Sequence, residues 1–247
     1  MSYDDPEMNT HRITGSRYGF SAARPTDLGA SEYTLVGLAA DCSSSVAAFA
    51  AEIEKCVTEV VRSCRASPRA DNLLIRFTTF GDVVTEVHGF RPLQASQSSA
   101  YRGSIRPAGC TALCDASHNA VEAVVRYGAD LHDHDFDVNA IVFVITDGGE
   151  NASTSAKAAD VKQALRRAAK DGKLSSVKSI LVGVAIDNDA LGAELRRFEQ
   201  EAGFDQYIEL ARADASSLAK LASFVSKSIS LQSQSLAAGG TKQALGF

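Results

Sequence analysis

The sequence predicts an α/β fold: a doubly wound, mostly parallel sheet with one antiparallel edge strand and helices on both faces. Two observations lead to this prediction. Runs of uncharged, apolar residues, typical of strands buried on both faces, recur along the chain from residue 33 onward. Between them lie amphipathic segments with apolar residues at helical spacing, so that strands and helices alternate as they do in βαβ units.

The predicted elements follow one another without an internal repeat. The segment 33–40, YTLVGLAA, carries no charge and predicts a strand, and 45–64 predicts a helix. The segments 72–80 and 82–90, joined by a Gly-Asp pair, are typical of a strand, a tight turn and an antiparallel edge strand. The later elements are a helix over 112–127, a strand over 140–146, a helix over 156–170, a strand over 176–186, a helix over 189–202, a strand over 206–210 and a helix over 215–230.

One domain is predicted, with a polar segment on each side. Residues 33–230 of the 247 carry the α/β pattern. Residues 1–32 are rich in Gly, Ser, Pro and Asp without periodicity, which predicts an N-terminal arm or loop. Residues 231–247 predict a C-terminal tail, and a peptide that docks on a partner or a neighbouring copy is the alternative.

Composition excludes several classes of protein. The net charge of -5 and the absence of a basic stripe argue against a general nucleic-acid or anionic-membrane binder. No apolar run approaches the roughly 20 residues that span a bilayer, and the N-terminal residues lack the apolar region of a signal peptide. The five cysteines are odd in number and include no CxxC pair, which favours reduced thiols and a cytoplasmic location.

Polar oxygen-bearing side chains follow the most apolar strands. Asp41 comes directly after the first buried strand and Asp147 directly after the strand 140–146. Because ligands of open parallel sheets bind beyond the carboxyl ends of the strands, we expect both carboxylates at one edge of the sheet. Ser43 and Ser45 alternate after Asp41, and Thr111 precedes a helix. Such a set of hydroxyls and carboxylates favours a hard cation, Mg²⁺, Mn²⁺ or Ca²⁺.

These motifs resemble those of the von Willebrand factor A (vWA) domain. The resemblance consists of DCSSS at 41–45, GCTALCDA at 109–116 and ITDGGEN at 145–151, and it covers residues 33–230. It implies a complete metal-ion-dependent adhesion site, in which the serines and the threonine ligate directly and the aspartates often act through water. The chain is most similar to the intracellular prokaryotic branch, although Ser44 stands between the serines where many members have glycine, and Cys42 is the other intervening residue.

The resemblance also implies a function. The expected ion is Mg²⁺, with Mn²⁺ or Ca²⁺ as alternatives, and an open coordination position is filled by a Glu or Asp of a partner protein. The loops 148–154 and 101–108 would form the rim that selects this partner. The chain is then a non-enzymatic interaction module, an adaptor or an assembly subunit of a larger complex.

Two other functions stay open. A subunit that assembles through its terminal segments, by self-association, is compatible with the polar ends of the chain. A Mg²⁺-dependent phosphohydrolase would also carry an aspartate at the end of the first strand, but it needs a second aspartate two positions later, where Ser43 stands.

Other polar clusters are interpreted as structural. The segment LHDHDFD at 131–137 lies at the opposite sheet edge and is typical of a solvated connection rather than a metal cluster. Asp115 falls in a first helical turn, where a carboxylate interacts favourably with the helix dipole. Cys42 and Cys110 are interpreted as inert thiols, and no P-loop motif is present.

Overall fold

The computed structural model describes residues 8–96, 98–186, 189–212 and 214–238. Within these residues, eight strands form one sheet in the order β1-β2-β5-β4-β3-β6-β7-β8, and five α-helices cover it. The strands are β1 (Met8–Arg12), β2 (Gly19–Ala23), β3 (Glu32–Asp41), β4 (Leu73–Phe80), β5 (Val84–Pro92), β6 (Asp137–Thr146), β7 (Ser176–Val184) and β8 (Gln206–Leu210). The helices are α1 (Ala50–Arg65), α2 (Leu113–His132), α3 (Ala158–Lys170), α4 (Asp189–Ala202) and α5 (Ala215–Ala238).

The centre of the sheet is parallel, and the predicted α/β class is confirmed. Strand β3 pairs in parallel with β4 on one side and with β6 on the other, and β7 and β8 continue beyond β6. Both faces of β3 and β6 are buried along nearly their whole length, which explains their uncharged sequences.

The N-terminal segment differs from the prediction of an arm or loop, because residues 8–12 and 19–23 are strands of the sheet. Strand β5 is antiparallel to β4 as predicted, but β2 and β1 lie beyond it, so β5 is not at the edge. The Glu86 carboxylate of β5 holds β2 by accepting from the backbone N–H of Ser21 at 3.0 Å and its hydroxyl at 2.6 Å. Only Phe20 and Ala22 of β2 are buried, too few for a recognisable hydrophobic period.

The helices pack in two layers. Buried residues of α2, α3 and α4 form a core with one face of the sheet, and those of α1 and α5 form a second core with the other face. Residues 44–48, predicted as the start of the first helix, form a 3₁₀ turn that precedes α1. Helix α5 extends to Ala238, past the predicted end at residue 230, and residues 239–247 of the predicted tail lie outside the described residues.

This topology brings the ends of β3 and β6 together. Ala40 pairs with Ile145, so Asp41 lies level with Thr146 and next to Asp147. The two strands then turn to opposite sides, β3 into the loop before α1 and β6 into the loop before α3. The two predicted carboxylates therefore meet at one end of the sheet, as expected for adjacent parallel strands.

Candidate metal centre

Asp41 is fully buried and is held from two sides. Its Oδ1 accepts the backbone N–H of Ser43 at 2.7 Å, which curls the loop directly after β3. Its Oδ2 accepts the hydroxyl of Thr146, the last residue of β6, at 2.5 Å. Thr146 Oγ1 also accepts the backbone N–H of Gly148 at 3.1 Å. The sequence motifs do not assign Thr146 to the site. Its place directly before Asp147 is the one sequence feature that indicates its role.

The two serines link Asp41's loop to the second carboxylate. Ser43 Oγ and Ser45 Oγ lie 2.9 Å apart, and Ser45 Oγ donates to Asp147 Oδ1 at 3.1 Å. Ser43 and Asp147 are buried, whereas Ser45 is exposed. The alternating side chains of the loop thus converge as predicted, and the exposed Ser45 marks the side on which the cluster opens to solvent.

Thr111 approaches the same point from the loop before α2. A methyl group built on Gly148 would lie 3.5 Å from Ser45 Oγ and 3.7 Å from Thr111 Oγ1, so both hydroxyls face the backbone that follows Asp147. The backbone N–H of Thr111 donates to Asn151 Oδ1 at 2.7 Å. All five predicted residues, Asp41, Ser43, Ser45, Thr111 and Asp147, are therefore gathered at one end of the sheet.

The two carboxylates lie in an environment that disfavours their charge. Burial raises the pKa of Asp41, although hydrogen bonds from Thr146 and Ser43 counteract this. Burial and the neighbouring charge of Asp41 raise the pKa of Asp147 to about 6. Among the described residues, neither carboxylate forms an ion pair with a basic side chain. A bound cation would supply the missing compensation, so the donor set fits a divalent metal ion.

The loop after β6 is fixed by two carboxylates that the sequence motifs did not assign to the site. Glu150 accepts the backbone N–H groups of Cys114, Ala152 and Ser153 at 2.6–2.9 Å, and also the hydroxyl of Ser153. Buried Asp115 accepts the backbone N–H groups of residues 154–156 at 2.7–3.2 Å. Asp115 therefore positions this loop, a role additional to the predicted one in the first turn of α2.

The loop before α2 is joined to the Asp41 loop by backbone hydrogen bonds. Ala108 N–H donates to the carbonyl of Cys42 at 2.8 Å, and Ser44 N–H donates to the carbonyl of Gly109 at 2.9 Å. Gly109 has a φ of +75°, and a side chain there would collide with the Asp82 carboxylate. Glycine at this position permits the close approach that places Thr111 beside the serines.

The other polar clusters have structural partners. In the segment 131–137, His134 Nδ1 donates to the carbonyl of Asp130 at 2.7 Å and Asp133 pairs with Lys173 at 2.7 Å. Across the described part of the chain, no three His, Cys, Asp or Glu side chains converge as a metal-binding group; the candidate centre combines two carboxylates with hydroxyls.

All five cysteines are free. Two of them near the site, Cys42 and Cys114, lie in surroundings that disfavour the nucleophilic thiolate form. Burial and the charge of Asp41 raise the pKa of Cys42, and burial with the neighbouring Glu150 raises the pKa of Cys114 to about 12. Cys110 is exposed, and its backbone N–H donates to Asp82 Oδ1 at 2.7 Å.

Among the described helices, none is long and apolar enough to cross a membrane.

Solved structures of low sequence identity share this fold. The PilB minor pilin from Streptococcus sanguinis is 14% identical with a TM-score of 0.59, covering 85% of this chain and 64% of that one. The pilus adhesin SpaC from Lactobacillus rhamnosus GG is 13% identical with a TM-score of 0.54, covering 81% of this chain and 31% of that one. Proximal thread matrix protein 1 from the mussel byssus is 18% identical with a TM-score of 0.51, covering 80% of this chain and 46% of that one.

These likenesses show a shared α/β fold, which is consistent with the vWA-type architecture that the sequence predicts. The chain spans between 31% and 64% of the length of the three structures that it resembles. No protein-family model matches the sequence. No curated protein matches it either.

Proposed function

We propose that the chain is a divalent-cation-dependent protein-interaction domain that binds an acidic residue of a partner and does no catalysis of its own. The observation that carries this proposal is the convergence of Asp41 and Asp147 with three hydroxyls, without a basic partner for either carboxylate in the described residues. The partner's acidic residue would make the chain an adaptor or a subunit of a larger complex.

The chemistry of the donors supports a hard cation. Carboxylate and hydroxyl oxygens suit Mg²⁺, Mn²⁺ or Ca²⁺, and no thiol or imidazole belongs to the set. Two carboxylates balance the charge of one divalent ion, so the centre would be neutral when loaded. A cation bound here would supply an electrophilic coordination position for an incoming carboxylate oxygen.

The position of the site supports a macromolecular ligand. Ser45 is exposed, and backbone of residues 108–109 and of Gly148 borders the cluster at the end of the sheet. Two structures that share the fold are named as a pilus adhesin and a minor pilin, so a surface-interaction role is compatible with the fold. The fold alone does not demonstrate such a role.

Calorimetric titration of Mg²⁺ and Mn²⁺ tests the metal centre. Wild-type protein should bind one ion, and Asp41→Ala should abolish binding because a buried carboxylate of the centre is lost. Ser44→Ala is the matched control: Ser44 lies in the same loop but is exposed, and its hydroxyl has no hydrogen bond within the described residues. Unchanged Mg²⁺ binding in folded Asp41→Ala would show that the ion binds elsewhere.

Partner capture tests the second half of the proposal. A partner isolated with wild-type protein in Mg²⁺ should be released by chelator and should not be retained by Asp41→Ala. Capture that is indifferent to both the chelator and Asp41 would contradict a metal-bridged interaction.

A further inference from the structure

A groove of about 340 Å³ opens directly beside the candidate metal centre, between α4 and the loop after β6. Its floor is apolar and buried, and it includes Leu113, Leu195 and Phe198. Leu113 lies two residues after Thr111, and Gly149 on the groove wall lies two residues after Asp147. The loops that carry Thr111 and Asp147 therefore also line the groove.

The end of the groove nearest the metal centre carries uncompensated negative charge. The Glu194 carboxylate lies against Gly149, where a methyl group could not be added without a collision. No hydrogen bond or ion pair to Glu194 is present within the described residues, and Glu150 accepts only from neutral donors. Of the other charged groups that line the groove, Glu201 pairs with Arg197 at 4.0 Å, and Lys157 is exposed beside the start of α3.

We propose that the partner segment places a Lys or Arg side chain in this groove while its acidic residue binds at the metal centre. This inference rests on the proposed function. The apolar floor would cover the aliphatic stem of the side chain, and Glu194 would meet its positive end. The same charge on the partner would offset the repulsion that Glu150 and Glu194 exert on its carboxylate.

The groove lies close to the metal centre along the chain. Gly149, against which the Glu194 carboxylate lies, is two peptide units from Asp147, so their Cα atoms are at most about 7 Å apart. The acidic and the basic residue should therefore come from one short segment of the partner, at a fixed spacing.

A phage-displayed library of random twelve-residue peptides, selected on the full chain in Mg²⁺, tests the inference. Selected sequences should share an acidic residue with a Lys or Arg at a fixed spacing from it. Selection on Glu194→Gln should keep the acidic residue and lose the basic one. Glu199→Gln is the matched control, because it removes the same charge from α4 outside the groove.

The binding of one synthetic peptide from the wild-type selection quantifies the effect. Glu194→Gln should weaken its affinity roughly threefold to fivefold, as for an ion pair at a partly exposed site, and Glu199→Gln should leave it unchanged.

The outcomes separate the two proposals. Peptides that share an acidic residue without a basic residue at fixed spacing would overturn the groove assignment and leave the metal-bridged function standing. Peptides without a common acidic residue, or selection that ignores chelator, would overturn the proposed function itself and the groove assignment with it.

Discussion

Thr146 shows how a single hydroxyl can orient a carboxylate of the candidate metal centre from outside the predicted ligand set. It donates to Asp41 Oδ2 at 2.5 Å and so leaves Oδ1 to the Ser43 backbone. Its neighbour Asp147 was predicted because it ends an apolar strand. The sequence does not predict the role of Thr146, because its place before Asp147 does not by itself distinguish an orienting hydroxyl from an ordinary strand residue.

We expect Thr146→Val to weaken Mg²⁺ binding by about tenfold, since the loss of a hydrogen bond to a metal-binding carboxylate costs roughly 10–100-fold in affinity in known sites. Thr78→Val is the matched control: Thr78 is also a buried strand residue, and its hydroxyl donates to the carbonyl of Leu38 at 3.1 Å. Calorimetry on both variants measures the effect. Equal Mg²⁺ affinity in the two variants would contradict the orienting role of Thr146.

His88 of β5 is a buried histidine with a defined tautomer. Its Nδ1 lies 3.0 Å from the carbonyl of Gly89, which can only accept, so Nδ1 carries the proton. Its Nε2 lies 3.1 Å from the Tyr101 hydroxyl, which then donates to it. Burial, with smaller effects of the Arg91 and Arg76 charges, lowers the pKa of His88 to about 4.

This shift predicts a loss of stability in mild acid. Below the ordinary histidine pKa of 6.5, the unfolded chain takes up a proton that folded His88 resists until about pH 4. The free energy of unfolding should therefore fall by about 2 kcal/mol from pH 6.5 to pH 4.5, and His88 should contribute little change above that range.

Urea unfolding of wild type and His88→Gln between pH 7.5 and 4.5 measures this contribution. The difference between the two profiles isolates His88 from other titrating groups, including Asp147, whose raised pKa acts in the opposite direction. Parallel profiles would show that His88 titrates alike in the folded and unfolded chains.

At the scale of elements, the attachment of β2 depends on a buried ion pair. Arg76 of β4 is only 2% exposed and donates from Nε to Glu86 of β5 at 2.6 Å. The Glu86 carboxylate also accepts from Ser21 of β2, so one carboxylate connects three strands.

We expect Glu86→Ala to lower the free energy of unfolding by about 2–4 kcal/mol, because it leaves the Arg76 guanidinium buried without its partner. The double variant Arg76→Met/Glu86→Ala should recover part of this loss, since the unpaired charge is removed as well. Chemical denaturation of wild type and both variants measures the values. A double variant no more stable than Glu86→Ala would show that the loss does not come from an unpaired charge.

The elements also show which parts of the fold the sequence could predict. Long, doubly buried strands such as β3 and β6 have unmistakable apolar runs, and the amphipathic helices have clear periods. Strand β2 has only two buried side chains. Its place in the sheet depends on the hydrogen bond between Ser21 and Glu86, which is 65 residues further along the chain. Similarly, Asp41 and Asp147 follow from strand ends, whereas the roles of Glu150 and Asp115 depend on which backbone N–H groups fold back onto them.

At the scale of the molecule, metal binding should stabilise the folded chain, because the five donor residues are far apart in the unfolded one. At a Mg²⁺ concentration about 100 times the dissociation constant, the free energy of unfolding should rise by about 2.7 kcal/mol. For a chain of this length, that increase in the free energy of unfolding corresponds to a rise of roughly 5–10 °C in the melting temperature.

Scanning calorimetry with Mg²⁺ and with chelator checks this at pH 7.5, where Asp147 is ionised. Asp41→Asn should show no such rise, and Ser44→Ala should show it in full. An equal Mg²⁺ effect on Asp41→Asn would indicate stabilisation by general salt effects.

The many backbone amides that Glu150 and Asp115 hold have a thermodynamic consequence. The segment 152–156 loses its conformational freedom when the protein folds, not when the ion or a partner arrives. Association at this surface should therefore cost little ordering entropy on the side of this loop. Amide hydrogen exchange of residues 152–156 should be slow even in chelator, and fast exchange that slows only on metal addition would contradict this.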